Sequence, residues 1–135
     1  MRKIKSVLLI DDDEPTNFIH KKIIQSSGLV DEVHIAQGGR EALDFLVTNS
    51  HNDQDAATPD LIFLDINMPA MDGWEFLAQY EKISPSQKKS IIIVMLTTSL
   101  NPDDEAKAKA IKEVYGYRNK PLTRLIIEEI ARAKF

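Results

Sequence analysis

Four short stretches of the sequence gather groups able to hold a cation or move a phosphoryl group: Asp11-Asp12-Asp13, Asp65, Thr97-Thr98-Ser99 and Lys120-Pro121. Each closes a run with strand character, so a sheet that ends at these points would bring them together. Carboxylates brought together repel: two unit charges about 4 Å apart cost roughly 1 kcal/mol in water and about 4 kcal/mol at an effective dielectric of 20. Something cationic must offset this. Lys120 supplies one charge, and an oxygen-only carboxylate set with room for water suits a hard divalent ion such as Mg²⁺. A metal and a lysine beside an exposed carboxylate suit phosphoryl transfer, in which positioning and charge neutralisation dominate. Asp65 is then the nucleophile.

The elements that position these groups follow from hydrophobic patterning. Short β-branched runs alternate with longer amphipathic segments, the pattern of βα units around a parallel sheet. Five strands are expected, at Lys5–Ile10, Val30–Ala36, Asp60–Asp65, Ser90–Thr97 and Val114–Asn119. The first, third and fourth are almost continuously apolar, as strands covered on both faces must be. The second alternates, with Val33 and Ile35 against Glu32 and His34, which suits an edge.

The first helix is expected over roughly residues 15–27, with Pro15 in its first turn, Ile19 and Ile23 sharing a face and Gly28 as C-terminal cap. The second directs Ala42, Leu43 and Leu46 inward, and the third Phe76, Leu77 and Tyr80. The fourth starts at Asn101-Pro102, with Asp103, Asp104 and Glu105 early and Lys107, Lys109 and Lys112 late, complementing the helix dipole. Its apolar face, Ala106, Ala110 and Ile111, is thin, so it is expected to move more easily than the others. The fifth runs from about Leu122 with Ile126 and Ile130 on one face. Five such units are too few for an eight-stranded barrel. A doubly wound α/β sheet in the order 2-1-3-4-5 remains, a flavodoxin-like three-layer sandwich whose ligand site lies at the carboxyl ends of its strands.

Composition excludes several classes. The 135 residues, 43% hydrophobic and 28% charged, suit a single domain spanning 1–135. Cysteine is absent, so there is neither a disulfide framework nor a thiolate metal site. No apolar run approaches the roughly 20 residues that span a bilayer, and no signal peptide is evident, so a cytoplasmic location is expected. The net charge of −4 and scattered basic residues leave no footprint for direct nucleic-acid binding.

The stretches Leu8-Leu9-Ile10-Asp11-Asp12-Asp13, Asp60 to Gly73 (DLIFLDINMPAMDG), Met95-Leu96-Thr97-Thr98 and Lys120-Pro121 together resemble the receiver domain of bacterial two-component response regulators. The order and spacing match over essentially the whole chain. The resemblance implies that Asp65 accepts the phosphoryl group, and that Asp12, Asp65 and the backbone carbonyl of Asn67 bind Mg²⁺, with Asp11 helping through water. Thr97 and Lys120 would hold the phosphoryl oxygens. Tyr117 would be the switch aromatic that turns inward when the threonine hydroxyl moves, and Lys120-Pro121 would carry a cis peptide bond. The implied donor is a sensor histidine kinase or histidine phosphotransfer protein. With no effector domain after the fifth helix, output is expected to pass to a separate protein through the helix-four, strand-five and helix-five face. Thr98 stands where the family usually has Ala or Gly, which narrows access to the phosphoryl group, and the 49–58 stretch is longer than a minimal receiver needs.

Taken singly, each stretch has a plainer reading. Asp11–Asp13 could be a helix-start acidic cluster, Thr97 a strand terminator, Lys120 a solvated lysine and Tyr117 ordinary packing. His20, His34 and His51 share no metal-ligand spacing and receive no chemistry, and Trp74 reads as packing. Two other functions compete with the signalling receiver. A Mg²⁺-dependent aspartyl-phosphate phosphatase would usually carry a second Asp two residues after the nucleophile, where this chain has Asn67. A phosphorylation-independent binding module would not need the full set of Asp11, Asp12, Asp65, Thr97 and Lys120. A flavodoxin-like electron carrier is disfavoured because the acidic loop after strand one repels a flavin phosphate.

Overall fold

The structure is a computed structural model that describes residues 4–50, 58–83 and 91–135. Residues 51–57, the centre of the long stretch named above, and Ser90 at the expected start of the fourth strand lie outside the described residues. Five strands, β1 (Ile4–Ile10), β2 (Val30–Ala36), β3 (Leu61–Asp65), β4 (Ile92–Thr97) and β5 (Val114–Asn119), form one parallel sheet in the order β2-β1-β3-β4-β5. The expected doubly wound order is therefore observed. The apolar strands β1, β3 and β4 are central, while the alternating β2 is an edge.

The helices are α1 (Glu14–Ser27), α2 (Gly39–Ser50), α3 (Gly73–Tyr80), α4 (Pro102–Lys109) and α5 (Arg124–Lys134). Because side chains alternate along a strand, the sheet has two apolar faces. Leu8, Ile10, Ile62, Leu64, Ile93 and Met95 meet α2, α3 and α4 on one side. Val7, Leu9, Leu61, Phe63, Val94 and Leu96 meet α1 and α5 on the other. Ala42, Leu43 and Leu46 of α2 and Phe76, Leu77 and Tyr80 of α3 are buried as their spacing predicts.

Two helix faces differ from expectation. On α1 the buried residues are Asn17, His20, Ile24 and Ser27, whereas Ile19 is 52% exposed. The inward stripe is thus partly polar, because Asn17 and His20 find hydrogen-bond partners in the interior. On α4 the one buried residue is Ala108, with Ala106 and Ala110 exposed and Ile111 half-buried. Three alanines spaced by two cannot share a helix face, and Ala108 is joined to Ile111, the larger apolar group of the same cluster, by the turn after the helix, in which the Ile111 N–H donates to the Ala108 carbonyl at 3.1 Å. The helix ends at Lys109, so Ile111 and Lys112 lie beyond it. Helix α5 likewise begins two residues later than Leu122: Thr123 caps it by accepting the Ile126 N–H at 3.2 Å. Leu122 precedes that cap, and it shares a core cluster with Ile127 at the spacing of a hydrophobic staple.

Candidate functional site

The sheet register builds the site. Ile10 pairs with Leu64 across β1 and β3, so the next residues, Asp11 and Asp65, emerge side by side. On the other flank Thr97 pairs with Asn119, and the Lys120 N–H donates to the Thr97 carbonyl at 2.7 Å. Four strand ends therefore deliver Asp11, Asp65, Thr97 and Lys120 to one edge of the sheet.

Local sequence holds each of them. Asp13 caps α1, accepting hydrogen bonds from the Thr16 N–H and hydroxyl, and these hold its carboxyl below the usual carboxylate range. Pro15 lies in the first turn, where its missing N–H leaves nothing unsatisfied. The cap aims the chain so that Asp11 Oδ1 accepts the Asp13 N–H at 2.9 Å, while Asn17 Nδ2 donates to the Asp11 carbonyl at 2.8 Å. After Asp65 the chain turns back at once. Gly73 N–H donates to the Ile66 carbonyl at 2.8 Å, Ala70 takes the left-handed conformation (φ 65°), and Asp72 and Glu75 form a reciprocal capping box at the start of α3. Glycine is required at position 73: an added Cβ would lie 2.9 Å from the Asp65 carbonyl oxygen and 3.0 Å from Ile66 Cα. The Lys120–Pro121 peptide is cis.

At the centre, Lys120 Nζ lies 2.6 Å from Asp11 Oδ2 and 3.0 Å from Asp65 Oδ1. All three side chains are nearly enclosed, being 12%, 6% and 7% exposed. Burial alone would push the Lys120 ammonium down, but hydrogen bonds and charge from Asp11 and Asp65 outweigh it and hold its pKa above the ordinary lysine value. Asp65 shifts upward instead. Burial and the Asp11 charge outweigh the stabilising pull of Lys120 and of the Asn67 N–H.

Oxygen atoms of Asp11, Asp12 and Asp65 lie within 4.8 Å of one another, and Asp12 is exposed. The set is all oxygen, buried on one side and open on the other, which fits a hard divalent cation. Asp11 has one oxygen on Lys120 and the other on the Asp13 N–H, which suits contact through water rather than direct ligation.

Thr97 is buried, and its hydroxyl is turned onto Ser99, donating to the Ser99 carbonyl at 3.2 Å and accepting its N–H at 3.1 Å. Tyr117 is half-buried and packs beside the α2–α3–α4 cluster. Its hydroxyl accepts the Asn101 N–H at 3.1 Å, and Asn101 caps α4 through the Asp103 N–H at 2.8 Å. Trp74 packs as expected, with the Lys107 ammonium 4.6 Å from its ring centre. Thr98 is exposed and lines a cavity of about 230 Å³ with Thr16, Ile19, His20, Lys120 and Pro121.

Two supporting residues escaped the sequence reading, Asn17 and His20. Their signal was their spacing: with Ile24 and Ser27 they complete one helical stripe, and polar residues on an inward stripe announce interior partners.

Comparison with known proteins agrees with this geometry. Residues 7–132 match the family model described as a response regulator receiver domain. The chain is 34% identical over 100 residues to the response regulator Rcp1 of Synechocystis sp., an alignment covering 74% of this chain and 66% of Rcp1. It superposes on a two-component response regulator from Cytophaga hutchinsonii with a TM-score of 0.89 at 36% identity, covering 97% of this chain and 96% of that one. The chemotaxis protein CheY4 of Vibrio cholerae gives a TM-score of 0.73 at 30% identity, covering 96% and 98%. Among the described residues no helix is long and apolar enough to cross a membrane. A carboxylate pocket at the carboxyl edge of a 2-1-3-4-5 sheet, matched over nearly the whole chain, places this protein in the response regulator receiver-domain family.

Proposed function

We propose that Asp65 is the phosphoacceptor of this receiver, taking its phosphoryl group from a phosphohistidine on a histidine kinase or phosphotransfer protein. The observation that carries the reading is the Lys120 ammonium seated between the buried carboxylates of Asp11 and Asp65. It offsets the charge of two like groups and stands where a third anion would arrive. An Asp65 oxygen forms the new bond to phosphorus, the phosphorus–nitrogen bond of the donor breaks, and the departing imidazole retains the electron pair and is protonated. Asp65 becomes an acyl phosphate. Lys120 exchanges its contact with Asp65 for a phosphoryl oxygen, and the Thr97 hydroxyl leaves the Ser99 backbone to donate to another.

Asp12, Asp65 and the Asn67 carbonyl would hold Mg²⁺, with Asp11 acting through water. When bound, the ion neutralises charge on the phosphoryl oxygens. Asn67 has no ionisable carboxyl to act as acid and base for an external substrate, so the chain's chemistry is its own phosphorylation and dephosphorylation.

The signal is read as a change of surface. Withdrawal of Thr97 from Ser99 loosens the 97–101 loop, which the Tyr117 hydroxyl holds at Asn101, so Tyr117 and α4 respond together. The large apolar residues Leu100, Tyr115 and Leu125 are 57%, 46% and 60% exposed around α4, β5 and α5, which favours that face for a separate downstream protein. A kinase donor charged from ATP works in the cytoplasm, and this chain is assigned there with it. Incubation with acetyl phosphate and Mg²⁺ tests the reading: the protein should gain one phosphoryl group and Asp65→Asn should gain none. Equal labelling of the two would overturn the assignment.

A further inference from the structure

His20 is 2% exposed on the inward stripe of α1, and its Nε2 accepts the Leu122 N–H at 3.1 Å, across 102 positions of sequence. The segment it reaches is the one that carries Lys120. Between Lys120 and Leu122 there are only two backbone donors, because Pro121 has no N–H. The sheet takes the first, through the Lys120 N–H and the Thr97 carbonyl at 2.7 Å, and His20 takes the second. The backbone under the lysine is therefore pinned from β4 on one side and from α1 on the other.

We propose that His20 is a positioning residue for Lys120, fixing the Lys120–Leu122 backbone so that the ammonium stays in register with Asp65. The inference rests on the reading of Lys120 as a phosphoryl-binding group. The lysine side chain is long and flexible, yet its Nζ must meet two carboxylates at 2.6 and 3.0 Å. A tilt of the backbone at its root is passed along the stem to that contact, and a misplacement of about 1 Å in a reacting constellation can cost on the order of a hundredfold in rate. Accepting through Nε2 requires the neutral ring with its proton on Nδ1. Burial, and secondly the Lys120 charge, hold the His20 pKa below its ordinary value against the opposing pull of Asp11, which keeps that lone pair available. A purely space-filling histidine would be replaceable by any apolar group of similar size. A positioning one is replaceable only by another acceptor.

Two variants separate these. His20→Leu fills comparable volume without an acceptor, and His20→Gln presents a carbonyl oxygen near the place of Nε2. Acetyl phosphate labelling in Mg²⁺ should be about tenfold slower for His20→Leu and largely restored in His20→Gln. The Mg²⁺ affinity should be unchanged in both, since Asp11, Asp12 and Asp65 are untouched. A wild-type rate for His20→Leu, or a His20→Gln rate as low as that of His20→Leu, would overturn the proposal. If His20→Leu fails to fold, nitrogen-15 spectra of the wild-type protein decide. An unprotonated Nε2 coupled through the hydrogen bond to the Leu122 amide supports the proposal, and a protonated Nε2 overturns it. Failure of the wild-type protein to label at Asp65 would instead overturn the phosphoacceptor reading beneath it.

Discussion

Replacing Lys120 by Met keeps most of the stem and removes the charge, leaving Asp11 and Asp65 to face each other alone. Their oxygens lie within 4.8 Å, and at that separation two unit charges repel by about 3.5 kcal/mol at an effective dielectric of 20. Breaking a buried ion pair by removing one partner costs a comparable ~3–5 kcal/mol. For 135 residues, at about 2.1 cal/mol/K each, the unfolding entropy is about 0.28 kcal/mol/K, so the melting temperature should fall by about 12 °C. Two conditions should return part of this loss. Asp65 already binds its proton more readily in the folded chain than in the unfolded one, owing to burial and Asp11. Where the folded state holds the more protons, stability rises as pH falls, so acidification through the folded pKa of Asp65 narrows the deficit. Divalent cation does the same, because a pocket without the lysine charge binds it more tightly, and at one saturating concentration each tenfold decrease in Kd adds about 1.4 kcal/mol. Mg²⁺ should therefore raise the melting temperature of Lys120→Met more than that of the wild type. Circular dichroism melts at several pH values, with and without Mg²⁺, make the measurement. A fall below about 3 °C, near 1 kcal/mol, or a deficit indifferent to both acid and Mg²⁺, would refute the electrostatic account of the pocket.

Gly73→Ala should destabilise by about 1–3 kcal/mol, because the two closest atoms to its methyl group, the Asp65 carbonyl oxygen and Ile66 Cα, are backbone atoms that cannot swing aside as Met95 Cε can. Gly38→Ala, with nothing within 4 Å of the added group, should be close to neutral, and urea midpoints compare the two. Tyr117→Phe removes the acceptor of the Asn101 N–H, a bond worth roughly 1 kcal/mol, so amide hydrogen exchange at Asn101 should quicken about fivefold while the global melting temperature stays nearly constant.

The parts of the fold that the sequence predicted are those that hydrophobic run length decides. Val7 to Ile10, Leu61 to Leu64 and Ile92 to Leu96 are too apolar to sit anywhere but the centre of a covered sheet, and their placement leaves Val30–Ala36 at an edge. Once those strands end together, Asp11, Asp65, Thr97 and Lys120 have little freedom to be elsewhere. Helix rotation was harder to foresee. On α1 the pair Ile19 and Ile23 suggested the inward face, and Ile23 does pack half-buried against the core, but Ile19 is exposed and the buried stripe runs through Asn17 and His20, whose partners are the Asp11 carbonyl and the Leu122 N–H. The spacing of Asn17, His20, Ile24 and Ser27 marks the stripe, but local periodicity does not say which group 102 residues away His20 will meet. On α4 the evenly spaced alanines carried almost no directional information, and the choice of Ala108 followed from Ile111 beyond the helix end.

That same sparse seating of α4 bears on how such proteins diverge. Of the eight residues Pro102–Lys109 only Ala108 is buried, so the core constrains one position and, Lys107 on Trp74 apart, leaves the other side chains largely free to change. If this face is the output surface, as proposed above, partner choice can drift by substitution in the helix at small cost to folding, while the carboxylate pocket is held by a different set of residues. Descendants of one such chain could thus acquire new listeners while the chemistry that they listen to stays unaltered.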